Sequence, residues 1–225
     1  VLFRSDPGRS ADFWQGVVGL EPVSADEPDG AIALGVADEA LVVLHAGAAA
    51  SAPQGHSGLY HLALHVPGEA EFAAGILRAA ARQWPQGPTD HITHWATYLD
   101  DPDGIQVEIA FETIDRVQRY EEGPGWPRIV DAHGRERRAV EPLDVDEVLG
   151  HAREGAADAP LAPGTVVGHL HLHVRDLAEA QDFYSGDLGM TRNVEARAIG
   201  FADLSFGGTL DRKSTRLNSS HVALS

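Results

Sequence analysis

Apolar and polar positions alternate along His61-Leu-Ala-Leu-His-Val66. Side chains alternate faces along a strand, so a period of two predicts a strand over Leu59–Val66. Leu62, Leu64 and Val66 share one face and His61 and His65 the other. The same pattern returns in His169-Leu-His-Leu-His-Val174, which sets Leu170, Leu172 and Val174 opposite His169, His171 and His173. Between the copies the period changes. Phe72, Ile76, Leu77 and Ala80 fall on one stripe and predict a helix over Glu69–Gln83. Strands are expected at His91–Leu99 and Ile105–Phe111, joined by an Asp100-Asp-Pro-Asp-Gly104 turn. In the second of these, Ile105, Val107, Ile109 and Phe111 form the apolar face. Glu108 then lies on the opposite face, the same kind of face that carries His61.

A longer repeat links Ala11–Leu20 with Gln181–Met190, each read as a helix end closed by a glycine. Short strands are expected at Ala31–Val36 and Ala40–Leu44, and no strand is expected before Arg9. From Glu112 to Ala162 the periodicity fails. Charges and Gly123-Pro-Gly-Trp-Pro127 suggest a linker with one helix at Val145–Arg153. A new module starts at Thr165–Val174, with a helix over Leu177–Tyr184 and two strands before Phe206. The ends are set apart: residues 211–221 back-translate, with suitable codons, into a common sequencing-library adapter, and Val1–Ser5 reads like its reverse strand. The expected organisation is therefore 1–5 and 211–225 adapter-derived, 6–113 a first domain without its opening strand, 114–163 a linker, and 164–210 the first module of a truncated second domain.

Composition narrows the function classes. A formal net charge of −17 opposes nucleic acid and anionic membrane as partners, since both select a basic surface. No apolar run approaches a membrane span, no secretory signal is visible, and a cytoplasmic location is expected. The chain has 0 cysteines, so any metal in it must be held by imidazole and carboxylate.

Strand, helix and strands, repeated with His in the opening strand and Glu in the closing one, resemble the vicinal-oxygen-chelate superfamily of glyoxalases, bleomycin-resistance proteins and extradiol dioxygenases. The resemblance is carried by Gly58-Leu-Tyr-His-Leu-Ala-Leu64, Asp90-His91, Tyr98–Gly104, Val107-Glu-Ile109, Pro142-Leu-Asp144 and Gly168–Val174. Two-domain catechol 2,3-dioxygenase-like members are the most similar. It implies an α+β fold of paired βαβββ modules curling around a cleft, with the second domain incomplete. It also implies metal ligands at His61 and Glu108 in the first domain, whose third ligand would sit on the missing strand, and at His169 in the second. On this reading the two His strands belong to separate sites. Departures exist: Ile105 follows Gly104 where the family often has Asn, His94-Trp-Ala-Thr97 replaces Ser-Glu-Ala, and Val43 occupies the place of a glyoxalase-type Glu.

Two His and one carboxylate leave positions open for substrate and O₂ on Fe(II); Mn(II) or another divalent metal is the alternative. The implied activity is extradiol ring cleavage of a small aromatic diol with O₂, in a chain compatible with homo-oligomerisation. His91 and Tyr98 are the candidates for proton transfer, and His91 could instead complete a set with His61 and Glu108. Set against this, a strand His is more often a hydrogen-bonded or exposed residue than a ligand. His45, His56, His133 and His151 read as surface residues. The alternatives are another metalloenzyme of the superfamily, an isomerase or thiol transferase, and a metal-free module that binds a small aromatic or drug. The chain itself, its first domain lacking a strand and its second a module, is expected to be inactive or poorly folded.

Overall fold

The computed structural model describes residues 1–24, 30–50, 55, 57–121, 128–206 and 221–224. His56, the Gly123–Pro127 motif and residues 211–220 lie outside the described residues. The fold is α+β, built from a strand–helix–three-strand unit used three times.

In the first unit β1 (Leu2–Arg4) leads into α1 (Pro7–Phe13), which continues as a π-helical turn over Trp14–Val18. Asp6 caps the helix by accepting from the Arg9 N–H, and Pro7 suits the first turn, where no N–H partner exists anyway. Gly19, at φ +95°, ends it in the left-handed conformation that glycine adopts without a Cβ penalty. Then come β2 (Glu21–Pro22), β3 (Ile32–Val36) and β4 (Glu39–Ala46), giving the order β1-β4-β3-β2 with β1 parallel to β4. The opening strand expected to be missing is thus present. It is short, and residues set aside as adapter-like build it, because Arg4 is buried against Asp101 at 2.9 Å.

The second unit repeats this order: β5 (Gly58–His65), α2 (Glu69–Ala81), β6 (Gly87–Asp90), β7 (His94–Asp100) and β8 (Gln106–Glu112). Glu69 and Glu71 occupy the first turn of α2, where the helix dipole favours acidic groups. Its buried face holds Phe72, Ala73, Ile76 and Ala79, while Ala80, expected on the stripe, is exposed. The strand expected at His91–Leu99 starts only at His94. Ile92, at φ +65°, turns the chain between β6 and β7. Arg78 is buried on the core face of α2 and donates to the carbonyls of Val18 (2.7 Å) and Ala159 (2.9 Å). Val18 closes the π-helical turn and Ala159 lies in a loop, so one guanidinium ties both neighbouring segments to α2. Burial lowers the Arg78 pKa to about 10, with Arg82 adding to the shift.

The stretch read as a linker is more structured than expected. β9 (Val117–Glu121), β10 (Arg128–Asp131) and β11 (Glu136–Arg137) form an antiparallel sheet, and β12 (Glu141–Pro142) adds to β6. These strands are too short to show a period of two. Val117 and Ile129 close on Ile92 in a small separate core. A short α3 (Val145–Leu149) is capped by Asp144.

The third unit comprises β13 (Val166–His173), α4 (Leu177–Gln181) with a π-helical turn over Asp182–Asp187, β14 (Thr191–Ala196), β15 (Phe201–Ser205) and β16 (His221–Leu224). Its opening strand β13 pairs antiparallel with β5, so the two expected domains share one nine-stranded sheet, β12-β6-β7-β8-β5-β13-β16-β15-β14. The leucine faces of β5 and β13 cover the cores, Leu62 and Leu64 in one, Leu172 against the other. The histidine faces line the opposite side. No helix among the described residues is long and apolar enough to cross a membrane.

Candidate metal centre

The β5–β13 pairing decides the site. Its register sets His61 opposite His171, with a bulge on either side of His169 to His171. On the other edge of β5, β8 runs parallel and places Glu108 beside Ala63. Tyr98 of β7 lies opposite Glu108. Alternation then turns His61 and His65, Glu108 and Glu112, His94 and Tyr98, and His169, His171 and His173 toward one concave face. Except for His173, these residues line a cavity of about 590 Å³ together with Tyr60, His91, Phe201 and Asp203.

Three of the expected ligands meet at its floor. His61 Nε2 and His169 Nε2 each lie 3.1 Å from Glu108 Oε2 and 3.0 Å from each other. Among the described residues this is the one group of three whose donor atoms converge as a metal requires, all within 4.8 Å. The expectation of two separate sites is therefore corrected. β13 brings His169 to the place beside His61 and Glu108 where a residue of the missing strand was expected. The strand actually found there, β1, offers only Leu2, Phe3 and Arg4.

The donor set fits a divalent cation. Glu108 is wholly buried, and neither carboxylate oxygen has an aligned hydrogen bond despite the close ring nitrogens. A buried carboxylate left so costs several kcal/mol, roughly, unless a cation compensates it. Burial by itself would raise the Glu108 pKa, but the neighbouring imidazoles, His169 foremost, then His61 and His94, hold it well below the usual carboxylate range. His169 shows the reciprocal effect. Burial works to lower its pKa, and Glu108 overrides that and raises it. The carboxylate is thus ready as an anionic ligand.

His91 and Tyr98 sit to one side as a pair, with His91 Nε2 2.9 Å from the Tyr98 hydroxyl. His91 Nδ1 is 2.8 Å from the Ala139 carbonyl, which can only accept. Nδ1 therefore carries the proton, and Nε2 accepts from the Tyr98 O–H. Burial, followed by the neighbouring His94, lowers the His91 pKa to about 4, so its imidazole is neutral at physiological pH. Burial and the adjacent Glu108 raise the Tyr98 pKa, keeping the phenol protonated. His91 does not join His61 and Glu108 in one set.

Sequence reasoning missed His94 as part of the site. Its Nε2 lies 3.1 Å from Glu108 Oε1, and its Nδ1 2.9 Å from the Thr93 hydroxyl. The available signal was parity, since His94 shares a strand face with Tyr98. Glu112 was missed likewise; it lies four residues from Glu108 on β8 and contacts His65 at 3.1 Å. His171 lines the cavity without joining the triad, and His173 stands outside its lining. Tyr60 stacks on His173 at 4.3 Å, and burial, with His61 next, lowers the His171 pKa to about 3.

Residues 1–109 match the model of the Glyoxalase/Bleomycin resistance protein/Dioxygenase superfamily. A catechol-2,3-dioxygenase from Bacillus subtilis (strain 168) is 30% identical over 142 residues, covering 59% of this chain and 43% of that protein. The chain thus spans less than half the length of this relative. Glyoxalase I from Zea mays superposes with a TM-score of 0.50 at 16% identity, over 98% of this chain and 64% of its own. Lactoylglutathione lyase from Agrobacterium tumefaciens gives 0.38 at 23% identity, over 50% of this chain and 90% of that one. At these identities the structural likenesses speak to fold alone.

Proposed function

With residues 1–109 belonging to the Glyoxalase/Bleomycin resistance protein/Dioxygenase superfamily, we propose that the chain holds Fe(II), or Mn(II), on His61, Glu108 and His169 and serves extradiol cleavage of a small aromatic diol by O₂. The observation that carries this reading is the convergence of two imidazoles on a buried carboxylate whose oxygens lack hydrogen bonds. The similarity to a catechol-2,3-dioxygenase supports the choice of substrate class.

Held by His61, Glu108 and His169, the metal would supply the activation of a diol and O₂ together. The residues of this chain do the rest. Glu108, anionic and immobile, fixes the charge of the centre. His91, neutral with its Nε2 lone pair toward Tyr98, accepts the proton that a diol hydroxyl releases on binding. The Tyr98 O–H holds that lone pair in place until substrate arrives. Tyr60, Phe201 and Val194 give the cavity apolar wall for a flat ring, and the cavity is large enough for one.

The reading is tested by loading the purified chain with Fe(II) without air and then adding catechol and oxygen. Development of a yellow ring-fission product, abolished in Glu108→Gln, is expected. An inactive or poorly folded chain was expected from a first domain lacking its opening strand and a second lacking a module, and the same assay tests that expectation. Tight metal binding with no coloured product and no oxygen uptake would reject ring cleavage.

A further inference from the structure

The cavity is wider than the centre at its floor. The sheet order puts the triad strands β8, β5 and β13 in the middle, with β6 and β7 on one flank and β16, β15 and β14 on the other. Phe201 of β15 and Val194 of β14 line the second flank. On the first, the wall comes from the segment between the second and third units, whose β12 pairs with β6. Ile114, Tyr120, Ile129 and Val140 all line the cavity from this segment. Ile129 is buried, whereas Tyr120 and Val140 stay 40% and 57% exposed and form an apolar rim.

This wall is fixed to the β6–β7 turn. Thr113 donates its N–H to the Thr93 carbonyl at 2.8 Å and its hydroxyl to the Ile92 carbonyl at 2.9 Å. Arg116 grips Asp90 through both terminal nitrogens, at 3.1 and 2.7 Å. A wall held at several points keeps its shape when a ligand arrives. At about 590 Å³ the cavity falls in the range of pockets for drug-sized ligands, roughly 300–1,000 Å³, more than a single diol-bearing ring fills. Charge narrows what can fill the rest. Among the described residues that line the cavity none is Lys or Arg, while Glu108, Glu112 and Asp203 are acidic. Arg116 and Arg137 of the same segment are paired with Asp90 and Glu141, and His91, which the Ala139 carbonyl holds, is neutral. A carboxylate on a substrate would lose its water here without gaining a cation. An apolar group gains by covering the wall.

We propose that Ile114, Tyr120, Ile129 and Val140 determine specificity: they receive a neutral apolar substituent carried by the diol ring, and the cavity rejects diols whose substituent is anionic. The proposal rests on reading the triad as the centre that holds the diol, and it names the substrates of that centre more narrowly. These side chains touch the substituent and not the reacting atoms. One methylene in an apolar pocket changes specificity by roughly 10–200-fold, so a discrimination of at least about 10-fold is expected.

The test uses the full chain, first without metal and without air. In calorimetric titrations tert-butylcatechol should bind at least about 10-fold more tightly than catechol, and protocatechuate, a catechol carboxylate, more weakly than catechol. Val140→Lys, at an exposed position, should strengthen protocatechuate and weaken tert-butylcatechol. Phe183→Lys adds the same charge at a position 49% exposed and outside the cavity lining, and should leave the order of the three ligands as in the wild type. Catechol or protocatechuate binding as tightly as tert-butylcatechol, or no binding by any of the three, would overturn the proposal. So would wild-type preferences in Val140→Lys, or the same shift in Phe183→Lys. Oxygen uptake by the Fe(II)-loaded chain then separates the two readings. The expected binding order without any uptake keeps the wall and removes ring cleavage. Uptake with catechol favoured over tert-butylcatechol keeps ring cleavage and removes the wall.

Discussion

The first and second units share one strand order, with the opening strand parallel to the closing one, yet they do opposite work. In the second, the opening strand carries His61 and the closing strand Glu108, both turned into a cavity. In the first, the opening strand carries Leu2, Phe3 and Arg4, and Leu44 and Val42 of β4 are buried core. Its charged residue, Arg4, serves a buried ion pair with the turn after β7. The topology fixes where side chains can converge, and the residues placed there decide whether chemistry follows. The first unit braces, and the second, joined to the third, gathers the candidate ligands.

The largest expected effect lies on the binding side. Glu108→Ala should abolish measurable Co(II) or Fe(II) affinity, because it removes the anionic ligand and leaves two imidazoles facing each other. The reciprocal change, Val43→Glu, should create no second site, since β1 has no imidazole to complete one. A second bound metal in Val43→Glu would break the comparison.

On the bracing side, Arg78→Ala should destabilise the fold by about 3 kcal/mol in urea denaturation, since it strands the carbonyls of Val18 and Ala159. Metal affinity of the folded protein should barely change. A large loss of affinity in Arg78→Ala would mean that the first unit shapes the site directly.

A smaller effect depends on pH. The folded-state pKa of His91, about 4, lies below its ordinary value of 6.5. Between those values the unfolded chain binds the extra proton and the folded chain does not. The His91 contribution is therefore fully present above pH 6.5 and is lost as pH falls toward 4. Urea midpoints measured across this window should fall with acid in the wild type and fall less in His91→Gln. Parallel curves would remove His91 as a buried neutral base.

Much of this was legible from the pattern of residues. The period of two set the faces of His61, Glu108 and His169, and Gly19 marked the end of the first helix. Pairing of strands was not legible. The opening strands of all three units present similar free edges, and sequence alone does not say which two will meet. That ambiguity split one site into two in the sequence reading. The 117–137 sheet was hidden for another reason, since β9 and β10 bury only one or two apolar side chains each and β11 buries none. His94 and Glu112 were overlooked because each becomes informative only once its strand neighbours are known.

The central claim is that β5, β8 and β13 build one metal centre. Calorimetric titration of Co(II) into wild type and His169→Ala tests it most directly. One site per chain is predicted for the wild type, with affinity falling by at least about 100-fold in His169→Ala. Undiminished affinity in His169→Ala would show that His61 and Glu108 bind without the third unit, and would contradict the account.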